Sequence, residues 1–373
     1  MAFRTNKYAV AIAVQSDAVT PETVTNADIL PCYGLQPGGD IFRIQNPEAT
    51  GTRNAKSEQE IGRGRSVTFN CILRGPGGVA PPAAGTWVMG RLLRAVGFKE
   101  EVQAAPLIAS TALGGVGTTS TAILNAGASG VDDFYNGLPI ILPSGGVGMK
   151  AVSMIRDYVG ASKTATLMET YAAAPAGNFT IPAFLAYRYW DAAPDMYLSV
   201  DYWLDKKRYK LVNGTITQFE RSFQVSNNGD TAYTTLTVTI TGDVHPTTAE
   251  LDENSPTVPD AGNGAIFRDA DFWVAGKSVC GSGATSQFQI ESARPPCPST
   301  LSGGEAPEIT SIRRQWALNL NEVLLSQQDY NALAADHQTN DTSTGVWLQY
   351  GGSSGKTVSA GIMDAQLGYS EAS

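Results

Sequence analysis

The sequence predicts a mainly β protein: an antiparallel β-sandwich or barrel-like core with one or two short flanking helices, plus an inserted small β-rich domain. Three observations carry that expectation. Val67, Phe69, Cys71 and Leu73 alternate with Thr68, Asn70, Ile72 and Arg74, and Leu236, Val238 and Ile240 alternate with Thr235, Thr237 and Thr239. A period of two belongs to half-buried strands, and threonine on the outer positions fits a sheet with one solvated side. Gly, Pro, Asn or Ser punctuates nearly every apolar run, and only Met89–Val96 and Ser326–His337 read as helices.

Taken in order, Ala9 to Val14 reads as a first strand, followed by an irregular arm to about residue 60 rich in Gly, Pro and Asn. Residues 61–98 form one unit: the alternating strand, a Gly/Pro loop at 75–85, and a short helix with Met89, Leu92, Leu93 and Val96 on one stripe. Thr86 fits its N-cap, and Gly97 fits the left-handed residue that ends it. Residues 105–130 are small and nearly uncharged, either a linker or the entry to an inserted module. The strand-like runs Ile140–Pro143, Met149–Tyr158 and Thr164–Leu167 favour the module, and 181–187 is the way back. Residues 195–243 read as an antiparallel meander, with Asn213-Gly214 as a two-residue hairpin turn. Residues 244–304 are acidic and loop-rich, with one strand expected at Ala265–Phe272. From Glu308 a strand, the second helix (Ser326 and Asp329 at capping-box spacing) and two final strands follow. The resulting division is 1–104 and 188–373 for one domain, and 105–187 for the insertion.

Of the 373 residues, 42% are hydrophobic and 16% charged, so a core is easily built. Low charge points to further surface hidden against partners. The net charge of −9 is the wrong sign for a free nucleic-acid binder, which neutralises phosphates with Lys and Arg. The apolar run near the start is too short for a signal core or a membrane span, so no membrane segment is expected. The four cysteines lack metal-ligand spacing and only two histidines exist, which argues against zinc. Cys71 reads as a small core residue. Cys280 and Cys297 flank a loop-rich stretch and form a bridge only if the protein matures outside a reducing cytosol.

Motifs for chemistry are weak. The run at 350–357 resembles a phosphate loop, but Tyr350 stands where its first glycine belongs, and Asp271 does the same for the run at 271–278. Asp132-Asp133 has no cation-loop spacing after it, and His245 and His337 lie beside no nucleophile motif. No catalytic residue, cofactor or metal ligand is nominated, and an enzyme is not expected. Arg63, Arg65 and Arg74 bracket the first strong strand, as a solvated face or as partners for acidic groups on a neighbouring subunit.

Three segments carry a resemblance. SVTFNCILRGPGG followed by TWVMGRLLRAVGF, MYLSVDYWLDKKRYKLVNGTITQFERSFQV with TLTVTITGDVHP, and the strand–helix–strand pair from Glu308 resemble, in the order of their parts, the major tail tube protein of long-tailed (siphovirus-like) bacteriophages. The likeness covers roughly residues 1–104 and 188–373. It implies a structural virion protein of the viral tail, made in the bacterial host cytoplasm. Six copies would form a ring, rings would stack, and their hairpins would close a β-barrel through which viral DNA passes without sequence recognition. Its partners would be itself and other tail proteins at the tube ends, with the 105–187 module displayed outside. On this resemblance Thr68, Asn70, Gln218, Glu220, Thr235, Thr237 and Thr239 are the candidate inner-barrel residues. Arg63, Arg65 and Arg74 are the candidate subunit interface. The competing expectation is a β-sandwich recognition module, an adhesin or carbohydrate-binding protein.

Overall fold

The computed structural model describes residues 8–17, 20–39, 41–44, 59–76, 81–143, 151–189, 196–204, 207–224, 233–244, 251–252, 271–279, 283–293, 311–321, 344–350 and 358–365. The protein is mainly β, with antiparallel sheets that include a curled half-barrel. Strands β1 (Tyr8–Val14), β2 (Ile29–Leu30), β3 (Tyr33–Gly38), β4 (Ile41–Ile44) and β5 (Gln59–Ile72) precede helix α1 (Val88–Val96). Next come β6 (Phe98–Gln103), β7 (Ile108–Ala112), β8 (Thr121–Ile123), β9 (Pro139–Ile141), β10 (Val152–Val159), β11 (Thr164–Leu167), β12 (Asn178–Ile181) and β13 (Phe184–Tyr189). The chain continues through β14 (Leu198–Leu204), β15 (Lys207–Gln224), β16 (Thr235–Val244), β17 (Leu251–Asp252), β18 (Asp271–Val274) and β19 (Lys277–Val279). The last strands are β20 (Gly283–Ala293), β21 (Ser311–Asn321), β22 (Thr344–Tyr350) and β23 (Val358–Ala365).

The large sheet runs β2-β1-β14-β15-β16-β5-β3, with β4 beside β5, and with β17 and the β20–β21 pair beside β15. β15 is its spine. The early part of β15 pairs with β14, the later part with β20, and β16 lies along its other edge. The arm before residue 60 contains three of these strands. Its Pro and Gly content hid them, because an edge strand such as β3 tolerates Pro37 where a central one would not.

Alternation puts Val67, Phe69, Cys71, Phe219, Leu236, Val238 and Ile240 on one face, all buried, and α1 covers that face with Met89, Leu92 and Val96. Gly97 ends the helix as expected: at φ 108° its N–H reaches the carbonyls of Leu93 and Arg94. The expected N-cap is corrected. Trp87 occupies that position, and the Thr86 hydroxyl instead donates to Ala83 O at 2.7 Å, closing the preceding turn. The helix is anchored by Arg91, which donates to Ile12 O at 2.7 Å and pairs with Asp28.

Asn213-Gly214 is also corrected. It lies inside β15, where the pairing register slips between Val212 and Thr215, so it is a β-bulge rather than a turn. Asn213 has φ 52°, its N–H donates to Gln15 Oε1 at 2.7 Å, and its Nδ2 donates to Asp243 Oδ2 at 3.1 Å. A type I′ hairpin turn and a bulge of this kind both place a residue in the left-handed region, so the dipeptide alone does not separate them.

β6 and β13 form a two-stranded stem, with Phe98 opposite Tyr189 and Gln103 opposite Phe184. The six strands at its far end run β7-β12-β9-β10-β11-β8, and Gly114 N–H to Ile123 O (2.9 Å) closes the circuit from β7 to β8. Ile140, Ile155, Tyr158, Leu167, Phe179 and Ile181 fill this small barrel. A separate sheet, β19-β18-β22-β23, completes the fold. Of the strand expected at Ala265–Phe272 only Asp271 and Phe272 are described, and they open β18; the rest of that expectation lies outside the described residues. The second expected helix, Ser326–His337, lies outside the described residues.

Candidate functional site

The face of the half-barrel opposite α1 is the chain's most distinctive surface. β16 pairs Thr239 with Thr68 of β5 and with Gln218 of β15; it pairs Thr237 with Asn70 and with Glu220. Directly opposed residues of antiparallel strands project to the same side. Six of the seven expected inner residues therefore meet in two cross-strand rows, and Thr235 follows in the next row, opposite Ile72 and Ser222. β20 puts Gln289 and Gln287 in register with Gln218 and Glu220, and β21 places Gln315 and Ala317 beyond them.

Hydrogen bonds knit the rows together. The Thr68 and Thr239 hydroxyls are 2.9 Å apart, Thr237 Oγ1 donates to Asn70 Oδ1 at 2.8 Å, and Thr239 Oγ1 approaches Gln218 Oε1 at 3.4 Å. A second bulge in β15, between Ile216 and Gln218, brings Thr217 into the network, 3.3 Å from the Thr241 hydroxyl. Ser66, Thr217 and Thr241 were missed at the sequence level. Parity with Thr68 and Thr239 was enough to find Ser66 and Thr241, but nothing local announces the bulge that adds Thr217. In this stretch (Ser66–Ile72, Thr217–Ser222 and Thr235–Thr241) the face holds hydroxyls and amides, one carboxylate, Glu220, one apolar side chain, Ile72, and no basic residue.

Neither a protein-family model nor a curated protein matches the sequence.

The three arginines do not form one cluster. Arg65 turns to the other face, lying 5.4 Å over the Tyr209 ring and donating to Lys210 O at 3.2 Å. Arg63 sits two residues back on β5, opposite Ile41, and its side chain is outside the described residues. Arg74 follows the end of β5, half-buried, with its backbone N–H on Met89 Sδ at 3.4 Å. Arg65 is thus engaged within its own chain. Cys280 and Cys297 lie outside the described residues.

Behind the polar face, Arg221 of β15 lies near Tyr350 of β22. Dense packing desolvates the guanidinium and lowers its pKa, an effect that the Tyr350 phenol opposes. Burial pushes the Tyr350 phenol up to about 12, while Arg221 and a 2.6 Å hydrogen bond from Thr234 Oγ1 pull the other way. Cys71 is a free, buried thiol as expected, pushed up to about 12 by burial and by the neighbouring Cys32. Among the described residues no group of His, Cys, Asp and Glu is arranged to hold a metal, and no helix is long and apolar enough to cross a membrane.

Proposed function

We propose that this chain is a structural, non-enzymatic virion protein. It self-assembles into stacked hexameric rings that form the tail tube of a long-tailed bacteriophage, the conduit for DNA ejection. The observation that carries the reading is the curved sheet from β3 and β4 through β5, β16, β15 and β20 to β21. Across β5, β16 and β15 it is polar on one face and apolar and helix-braced on the other, and the sheet has no partner strand at its outer edges among the described residues. Long open edges favour pairing with another chain, and a head-to-tail contact that closes by rotation removes every edge at once. With the polar face inward, a channel lined by Thr68, Asn70, Gln218, Glu220, Thr235, Thr237 and Thr239 offers DNA no cations to neutralise its phosphates. The duplex then slides without being held or read, and the tube ends meet other tail proteins.

Negative-stain microscopy of the purified protein, or of virions carrying it, is the direct test. Rings or tubes with six-fold symmetry are expected. A compact monomer, absent from any tail and retained on a glycan array, would replace this reading with a recognition module.

A further inference from the structure

The sheet β19-β18-β22-β23 has little interior of its own, because each of its faces is covered by a different part of the chain. On one face, Tyr350 meets Thr234 and Arg221 of the half-barrel, and Val358 packs on the half-barrel core. On the other face, Trp273 and Trp347 stand opposite each other in register, and the inserted barrel covers them with Met154 of β10 and Met168 just after β11.

The fit against the barrel is close. A Cβ on Gly361, which is opposite Trp347, would lie 2.4 Å from Met154 Cε, and one on Gly345 would lie 2.9 Å from Met168 Sδ. The seam is also hydrogen-bonded. Glu169 bridges to Gly276 in parallel, Thr170 N–H donates to Gly276 O at 3.1 Å, and the Tyr171 hydroxyl donates to the buried Glu169 carboxylate. Burial and that carboxylate together raise the Tyr171 pKa, so the phenol keeps the proton it donates.

We infer that the inserted barrel is a clamp for the C-terminal sheet, so that β18 and β22 hold their positions only while the barrel is folded and docked. Both tryptophans are nearly buried, and the barrel supplies two of their apolar neighbours, Met154 and Met168, from a segment more than a hundred residues earlier in the chain. Removing that cover exposes the two indoles to water and leaves the partly buried Met363 of β23 as the neighbour that the sheet itself contributes to that cluster. The outer edge of β21 and the polar face play no part, so this inference stands apart from the proposed tube.

The test is native-state hydrogen exchange on the full chain carrying Phe179→Ala, which empties a fully buried position in the barrel. Amides of 272–274 and 346–350 are expected to exchange at least about tenfold faster, in step with the barrel strands, while 67–71 and 236–240 keep wild-type rates. Faster exchange confined to the barrel would overturn the inference. Should that variant fail to fold, Gly345→Ala wedges the seam from the other side, where the nearest atoms all belong to Met168 and Arg156 of the barrel. Its melting temperature should fall, and adding Met168→Ala should restore part of the loss; a drop that Met168→Ala leaves wholly unrelieved would equally overturn it.

Discussion

Replacing Asn213 tests the bulge at the centre of the spine strand. Asn213→Ala keeps the left-handed backbone but removes the side chain that makes it tolerable, a penalty of about 1 kcal/mol. It also removes the hydrogen bond that the buried Gln15 amide donates to Asn213 Oδ1 at 3.1 Å, while that amide keeps Asp17 O and Thr20 O as acceptors, a further cost of about 0.5–1.5 kcal/mol. The expected loss is therefore about 1.5–2.5 kcal/mol in urea denaturation, with the slope unchanged. Asn213→Gly relieves the backbone and should lose only the hydrogen-bond part. Gln15→Ala should cost a similar amount, and the pair should couple by about 0.5–3 kcal/mol in a double-mutant cycle. A solvated hairpin turn at Asn213-Gly214 has no use for Gln15. If Gln15→Ala is neutral and additive with Asn213→Ala, the bulge and the register it sets are wrong.

Three further outcomes follow from the same packing. Leu92→Ala empties a fully buried site under the apolar face and should cost about 2–5 kcal/mol by denaturant titration, whereas Thr237→Val on the polar face should stay within about 1 kcal/mol. Burial works against the Asp28 charge, but hydrogen bonds from Arg91 and Thr25 outweigh it and hold the carboxyl below its ordinary value. Its contribution is thus fully present above the unfolded aspartate pKa, about 4, and is lost as pH falls through the lower folded value; Asp28→Asn should flatten that acid limb of a stability–pH curve. Burial pushes the Cys32 and Cys71 thiols up to about 12, so in a Cys280→Ala/Cys297→Ala background neither should react with a thiol reagent at pH 8 until the chain unfolds.

Strand alternation and the end of α1 were legible because their causes are local. A period of two assigns Thr68, Asn70, Thr237 and Thr239 to one side wherever the strands go, and Gly97 stops a helix by its own backbone freedom. The expected rows on the polar face meet for that reason, once β16 lies between β5 and β15. Locality also explains the failures. Asn-Gly satisfies a bulge as well as a turn, and Thr86 satisfies a turn as well as a cap, so the winner was set by Gln15 and Ala83.

By itself, then, the sequence determined the mainly β class, the two-faced character of β5 and β16, and the helix α1 that braces them. Only the tertiary structure decided that Arg65 serves Tyr209 within its own chain, that β15 bends through two bulges, and that Trp273 and Trp347 are covered by Met154 and Met168. Those outcomes depend on contacts between residues far apart in the chain, which neither periodicity nor spacing encodes, because burial energy is indifferent to which apolar surface supplies the cover.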